Sequence, residues 1–209
     1  MDDGNRVTTT EPGLTGVCVI ACGALAHELV ALKKRNHWHH LKIQCLPPSL
    51  HNRPEKITEA LRREIEDKQR EFEHIFVAFA DCGTAGRIDE LLEGFGVERL
   101  AGAHCYEVFA GSMAFNQLAE GEPGTFYLTD FLTRHFDRLV VRGLGLDKDP
   151  TLMPDFFGNY RRVVYLSQSE STELQALARQ HAAFLGLAFE HRHTGPGGLA
   201  RQLEESVGG

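Results

Sequence analysis

The chain has 209 residues, of which 42% are hydrophobic, and it carries a formal net charge of −7. This length supports one sizeable domain or two small ones, and the hydrophobic content excludes global disorder. The negative charge argues against a nucleic-acid binder that neutralises phosphates. The first residues are acidic and polar, unlike a signal peptide, and the longest apolar stretch, 16–26, is too short to span a bilayer. We therefore expect a cytoplasmic protein.

Short β-rich runs alternate along the chain with helical patterns, which is typical of parallel strands joined by crossover helices. Strands are predicted at 17–21, 41–46, 74–80, 125–128, 161–166 and 187–190. Helices are predicted at 24–34, 54–70, 84–95, 105–119, 129–141, 150–157 and 171–185, with a closing helix after the glycine-rich turn at 195–198.

This order predicts an α/β protein with a parallel-sheet, Rossmann-like architecture. Residues 1–14 form a flexible leader, 15–120 a first α/β half that carries the cysteine motifs, and 121–209 a second, smaller α/β half. The two halves are expected to share one crevice.

Five cysteines are an odd number, so structural disulfides are not expected in a reducing compartment. Cys18 and Cys45 lie inside predicted strands and are interpreted as core residues. Cys22 and Cys82 each follow a strand, and Cys105 opens a helix. Because ligands of parallel sheets bind outside the carboxyl ends of the strands, we expect these three thiols to share one site.

Gly23 and Gly83, which follow two of these cysteines, allow the backbone to approach a bound cofactor closely. The helix starts nearby are expected to lower the thiol pKa and so favour the thiolate. Three thiolate ligands with an open position suit a [4Fe–4S] cluster with one exposed iron, or a zinc ion that activates a substrate thiol or water. His51 and His104 are spare ligands, or general bases if the site is catalytic.

A third option needs no metal: Cys82 or Cys105 acts as a nucleophile and a histidine as its base. In the second half, polar side chains follow two strands and are candidates for holding a small substrate. They are Thr129, Ser167, Gln168 and Ser169.

Five short motifs together resemble one family, the domain of unknown function 1638, over roughly residues 16–200. The motifs are Ala21-Cys22-Gly23-Ala24-Leu25, Leu50-His51, Asp81-Cys82-Gly83, the segment from Arg99-Leu100 to His104-Cys105, and Gly124-Thr125-Phe126-Tyr127-Leu128-Thr129. The resemblance carries the family's cysteine positions onto Cys22, Cys82 and Cys105. Some relatives have an acidic residue where this chain has His104.

Members of that family tend to be encoded beside corrinoid-dependent methyltransferases and corrinoid proteins, in bacteria and methanogens. The resemblance therefore implies a role in corrinoid-linked methyl transfer or one-carbon metabolism, as an enzyme or accessory redox protein with a small-molecule substrate. The alternative is a metal-free accessory module that binds a corrinoid protein or a methyltransferase and carries its cysteines as core. Neither hypothesis involves nucleic acid or a membrane.

Overall fold

Two parallel sheets organise residues 16–207, the part of the chain that the computed structural model describes. The first sheet has the order β2-β1-β3-β4, with β1 at Val17–Cys22, β2 at Leu41–Leu46, β3 at His74–Ala78 and β4 at Glu98–Arg99. The second has the order β5-β6-β7, with β5 at Thr125–Thr129, β6 at Arg162–Ser167 and β7 at Ala188–His193. All paired strands are parallel, so the α/β, Rossmann-like prediction is confirmed. The leader predicted at 1–14 lies outside the described residues.

Helices connect the strands. They are α1 at Ala26–Arg35, α2 at Ile57–Lys68, α3 at Arg87–Glu93, α4 at Cys105–Ala110, α5 at Ser112–Gly121, α6 at Asp130–Arg134, α7 at Met153–Phe157, α8 at Thr172–Leu185 and α9 at Gly197–Val207. Short 3₁₀ turns lie at Gly23–Leu25, Pro48–Asn52, Pro54–Lys56 and Pro150–Leu152, and a π-helical turn at Asp137–Val141. No helix within 16–207 is both long and apolar enough to cross a membrane.

Helices cover both faces of the first sheet, which explains why its central strands are continuous apolar runs. In β1, the residues from Cys18 to Ala21 have no solvent exposure. One side of α2 buries Ile57, Leu61 and Ile65 against this sheet at helical spacing. The closing helix α9 returns to the same core, where Leu199, Leu203 and Val207 are buried, so the end of the chain packs on the first half.

Two predicted helices are divided in the structure. The helix predicted at 105–119 breaks at Gly111, whose φ of +80° is a left-handed conformation that glycine adopts without strain. The helix predicted at 129–141 becomes α6 followed by the π-helical turn. The helix predicted to begin at Thr84 begins at Arg87, because residues 82–86 form a tight loop. The two-residue strand β4 is too short to leave a sequence pattern.

Candidate functional site

The three candidate cysteines lie at the carboxyl edge of the first sheet. Cys22 ends β1, which pairs directly with β3, and Cys82 lies in the loop that follows β3. The N–H of Cys82 donates to the carbonyl of Ala103 at 2.8 Å. Since Cys105 follows two residues later at the start of α4, this backbone bond holds the second and third cysteines on adjacent loops.

The loop that carries Cys82 is built around the carboxylate of Asp81. This carboxylate accepts hydrogen bonds from the Thr84 hydroxyl at 2.9 Å and from the Ala85 and Gly86 N–H groups at 3.1 and 2.8 Å. Although partial burial raises the pKa of Asp81, these hydrogen bonds outweigh it and lower that pKa.

Cys82 itself has φ +51°, a left-handed conformation that costs a residue with a Cβ about 1 kcal/mol or more. Gly83, which follows it, has φ +80°. Backbone strain of this kind is found most often at functional sites.

His51 lies against Cys22. Its Nδ1 is 3.7 Å from Cys22 Sγ and 3.2 Å from the Pro48 carbonyl, and its ring stacks on Phe79 with centroids 6.4 Å apart. Gly23 lets the end of β2 and Pro48 pack closely on this edge, because a Cβ there would lie 2.9 Å from the Leu46 carbonyl oxygen and 3.0 Å from Pro48 Cδ.

Burial, and to a lesser extent the nearby His104, lowers the pKa of His51. The imidazole of His51 is consequently neutral at neutral pH, the form in which histidine binds metals or accepts a proton. His104 is exposed, with its ring 6.4 Å from that of Tyr106. The structure thus brings both candidate histidines to the cysteine edge.

The expectation that this environment lowers the thiol pKa is wrong. Burial raises the pKa of Cys22 to about 12 and that of Cys82 to about 11. Burial also raises the pKa of Cys105, and Cys82 and Cys22 raise it further because all three thiols are close. Desolvation disfavours the thiolate more than the nearby N–H groups favour it.

Two further findings bear on the cysteines. Cys18 is buried, as predicted, but Cys45 is exposed, so its interpretation as a core residue is wrong: it lies on an outer strand of the first sheet. Within residues 16–207, no three His, Cys, Asp or Glu side chains are already arranged to hold a metal ion.

A cavity of about 250 Å³ adjoins the cysteine edge, between the two halves. Cys105, His51 and Asn52 line it on the side of the first half. The second half contributes mainly apolar side chains, and Leu139 and Val140 of these belong to the π-helical turn. Such turns occur frequently at functional sites. The remaining lining residues are Ala24, Pro48, Tyr106, Phe126, Thr129, Phe131, Leu132 and Leu144.

The four candidate substrate contacts do not converge on one cavity. Thr129 lines the cavity beside Cys105, but its hydroxyl also caps α6 by accepting from the Leu132 N–H at 3.2 Å. Gln168 and Ser169 line a separate cavity of about 400 Å³. Ser167 is buried beneath two histidines of β7, with its Oγ 2.9 Å from His191 Nε2.

Asp130, which follows Thr129 at the start of α6, explains much of this polar arrangement. Its carboxylate is buried and accepts hydrogen bonds from the Tyr165 hydroxyl at 2.6 Å and from the Gln168 and Ser169 N–H groups at 3.1 and 3.0 Å. The Ser169 hydroxyl donates to it as well, and Arg134 lies 3.9 Å away. In the sequence, Asp130 is recognisable as an acidic residue directly after a predicted strand and at the start of a helix.

Fold and site together define an α/β protein with two parallel sheets, three cysteines at the carboxyl edge of one sheet, and a small cavity between the halves. A sequence profile of the family described as Protein of unknown function (DUF1638) matches residues 45–203. The chain belongs to that family. The match includes His51, Cys82 and Cys105, whereas Cys22 precedes it. No curated protein matches the chain significantly.

Proposed function

We propose that Cys22, Cys82 and Cys105 bind one metal centre, a [4Fe–4S] cluster or a zinc ion, and that a small substrate occupies the adjoining cavity. The observation that carries the proposal is the convergence of three thiols on one sheet edge. Cys22 and Cys82 are buried there, and the partly exposed Cys105 lines the adjoining cavity. Thiolates are the ligands that both iron–sulfur clusters and zinc accept.

The side chains fit such a centre in their chemistry. Buried thiols with raised pKa values are protonated at neutral pH, and binding a metal releases those protons. Because the ligand set is not preformed within residues 16–207, the thiol side chains have to turn toward one another on binding. Backbone loops fixed by Asp81 and by the Ala103 carbonyl hold the cysteines ready for that adjustment.

The cysteines and the two histidines would have different roles at such a centre. Three thiolates leave an open position, at which iron or zinc would supply a Lewis acid for a small substrate. His51 lines the cavity and contacts Cys22, so it is placed to accept a proton from the substrate or to act as a fourth ligand. His104 lies at the exposed edge of the same site.

The metabolic setting of the proposal comes from the resemblance given above: a component of corrinoid-linked methyl transfer or one-carbon metabolism. In that setting, a corrinoid protein or a methyltransferase would be the macromolecular partner. With zinc, a substrate thiol held as thiolate would accept the methyl group; with a cluster, the exposed iron would bind a small substrate or the cluster would pass an electron. The exposed His104 side of the site is where a partner could reach it.

The test is metal analysis and a visible spectrum of protein purified without oxygen, beside a Cys82→Ser variant. Iron and sulfide with a broad absorption band, lost in the variant, would support a cluster. Stoichiometric zinc, lost in the variant, would support thiol activation. A metal-free wild-type protein that is fully folded by circular dichroism would contradict the proposal and favour the accessory module that binds a partner protein.

A further inference from the structure

The cavity beside Cys105 has walls without charged side chains. Of the thirteen residues that line it, none is Asp, Glu, Lys or Arg. The chain as a whole is 24% charged, so this wall is markedly poor in charge. A charged ligand would lose its hydration there and gain no side chain of opposite charge.

The apolar part of the wall comes from three consecutive pieces of the second half. They are the strand β5, the helix α6, and the π-helical turn with the segment after it, which contribute Phe126, Phe131, Leu132, Leu139, Val140 and Leu144. The polar side chains in the lining are those of His51 and Asn52, which belong to the first half beside the cysteines, and of Thr129, which ends β5. A ligand would therefore bury an apolar body against the second half and direct its polar end toward the cysteine edge.

The size of the cavity limits the ligand further. At about 250 Å³ it exceeds a cavity of about 150 Å³ that suffices for a benzene molecule. It is smaller than the range of about 300–1,000 Å³ that is usual for drug-sized ligands. A single ring or a short branched chain fills it.

We infer that the substrate class of this site is a small, uncharged and mainly apolar molecule, recognised by the walls of the second half rather than by an ionic contact. The inference rests on the proposed function, because it takes this cavity for the substrate site. It goes further in excluding substrates that carry a phosphate, carboxylate or ammonium group on the part that fills the cavity, away from the open metal position.

Three probes of matched shape test the charge preference: toluene, benzoate and benzylamine. Their binding is measured by calorimetry at neutral pH on the full-length Cys82→Ser variant, in which no metal is expected to hold a charged probe. The wild type is measured beside it, and the metal content of each preparation is determined in parallel. Toluene is expected to bind at least about tenfold more tightly than either charged probe, since the latter lose hydration without compensation. Equal or tighter binding of benzoate or benzylamine, or no binding of toluene, would overturn the inference.

Leu139 offers a matched set of variants, because it lines the cavity but is only half-buried and so tolerates a polar side chain. Leu139→Glu should weaken toluene binding about tenfold and make benzylamine the best of the three probes. Leu139→Gln, which has the same shape without charge, should weaken toluene but create no preference for benzylamine. Met113→Glu, at a side chain 78% exposed and away from the cavity, should change nothing. An unchanged probe preference in Leu139→Glu would contradict the assigned wall.

The two proposals fail separately in this experiment. Protein that holds stoichiometric metal but does not bind toluene would overturn the substrate class and leave the metal centre standing. Protein that binds toluene but holds no metal after anaerobic purification would overturn the metal centre and leave the apolar site standing.

Discussion

Replacing Asp130 should destabilise the second half severely. Asp130 is 1% exposed and its carboxylate accepts four hydrogen bonds, one of them from the buried hydroxyl of Tyr165. A hydrogen bond to a charged group contributes about 1.5–3 kcal/mol to the free energy of unfolding. A buried donor that is left without its acceptor lowers that free energy by about 1–3 kcal/mol more. Ser169 is partly exposed, so water can replace the carboxylate as the partner of its donors, whereas it cannot reach the buried Tyr165. The contributions of the four hydrogen bonds therefore do not simply add.

For Asp130→Ala we therefore expect the free energy of unfolding to fall by about 3–5 kcal/mol. Asp130→Asn keeps the shape but loses the charge and one acceptor, and should cost about 2 kcal/mol. Ser169→Ala removes a single hydroxyl donor and should cost about 1.5 kcal/mol. The order of these three values follows from how many hydrogen bonds to the carboxylate each substitution removes or weakens.

The assay is equilibrium unfolding in urea, followed by far-ultraviolet circular dichroism, with the exposed Asp147→Ala as the matched control. The control should stay within about 0.5 kcal/mol of the wild type. If Asp130→Ala also stayed within that range, the buried carboxylate would not organise the end of the second sheet, and the reasoning would be refuted.

Three further predictions follow from burial and packing. In metal-free protein at neutral pH, iodoacetamide should modify the exposed Cys45 well before Cys82, and modification of Cys82 should accelerate as pH rises toward its pKa of about 11. Burial lowers the pKa of His181 below 6.5, so below that pH the unfolded chain binds more protons than the folded protein. The free energy of unfolding should therefore fall as pH drops through 6.5. His181→Phe should make this dependence on pH less steep. Gly143→Ala should destabilise the π-helical turn by about 1–3 kcal/mol, because its Cβ would lie 2.1 Å from the Leu139 carbonyl oxygen.

Each of these has a simple contradictory outcome. Mass spectrometry that finds Cys82 alkylated as fast as Cys45 would contradict the burial of its thiol. If the free energy of unfolding of His181→Phe, measured in urea, depended on pH as steeply as that of the wild type, the dependence would come from other groups. Gly121→Ala, where no atom lies within 4 Å of the added Cβ, is the control for Gly143→Ala, and equal stability of the two would contradict the packing argument.

The parallel-sheet architecture could be predicted from sequence because its signals are local. Continuous apolar runs such as β1 and the helical spacing of Ile57, Leu61 and Ile65 each require only a few neighbouring residues. The helix break at Gly111 and the position of α9 could not be predicted, since the first depends on one φ angle and the second on which distant surface the helix covers.

The candidate site was predictable only in part, for the same reason. The strand-end rule placed Cys22 and Cys82 at one edge, because it needs only strand order and direction. It could not anticipate that burial would raise the thiol pKa values, because desolvation depends on everything packed around the group. Nor could it show that the Ser169 hydroxyl donates a hydrogen bond to Asp130, because these residues lie 39 positions apart in the chain.

The most direct test of the shared site is the metal-to-protein ratio of four single variants prepared anaerobically side by side: Cys22→Ser, Cys82→Ser, Cys105→Ser and the exposed control Cys45→Ser. A single centre held by three thiols predicts that the first three lose the metal to a similar extent, while Cys45→Ser retains the wild-type ratio. Retention of the wild-type ratio in any one of the first three, or an equal loss in Cys45→Ser, would contradict it.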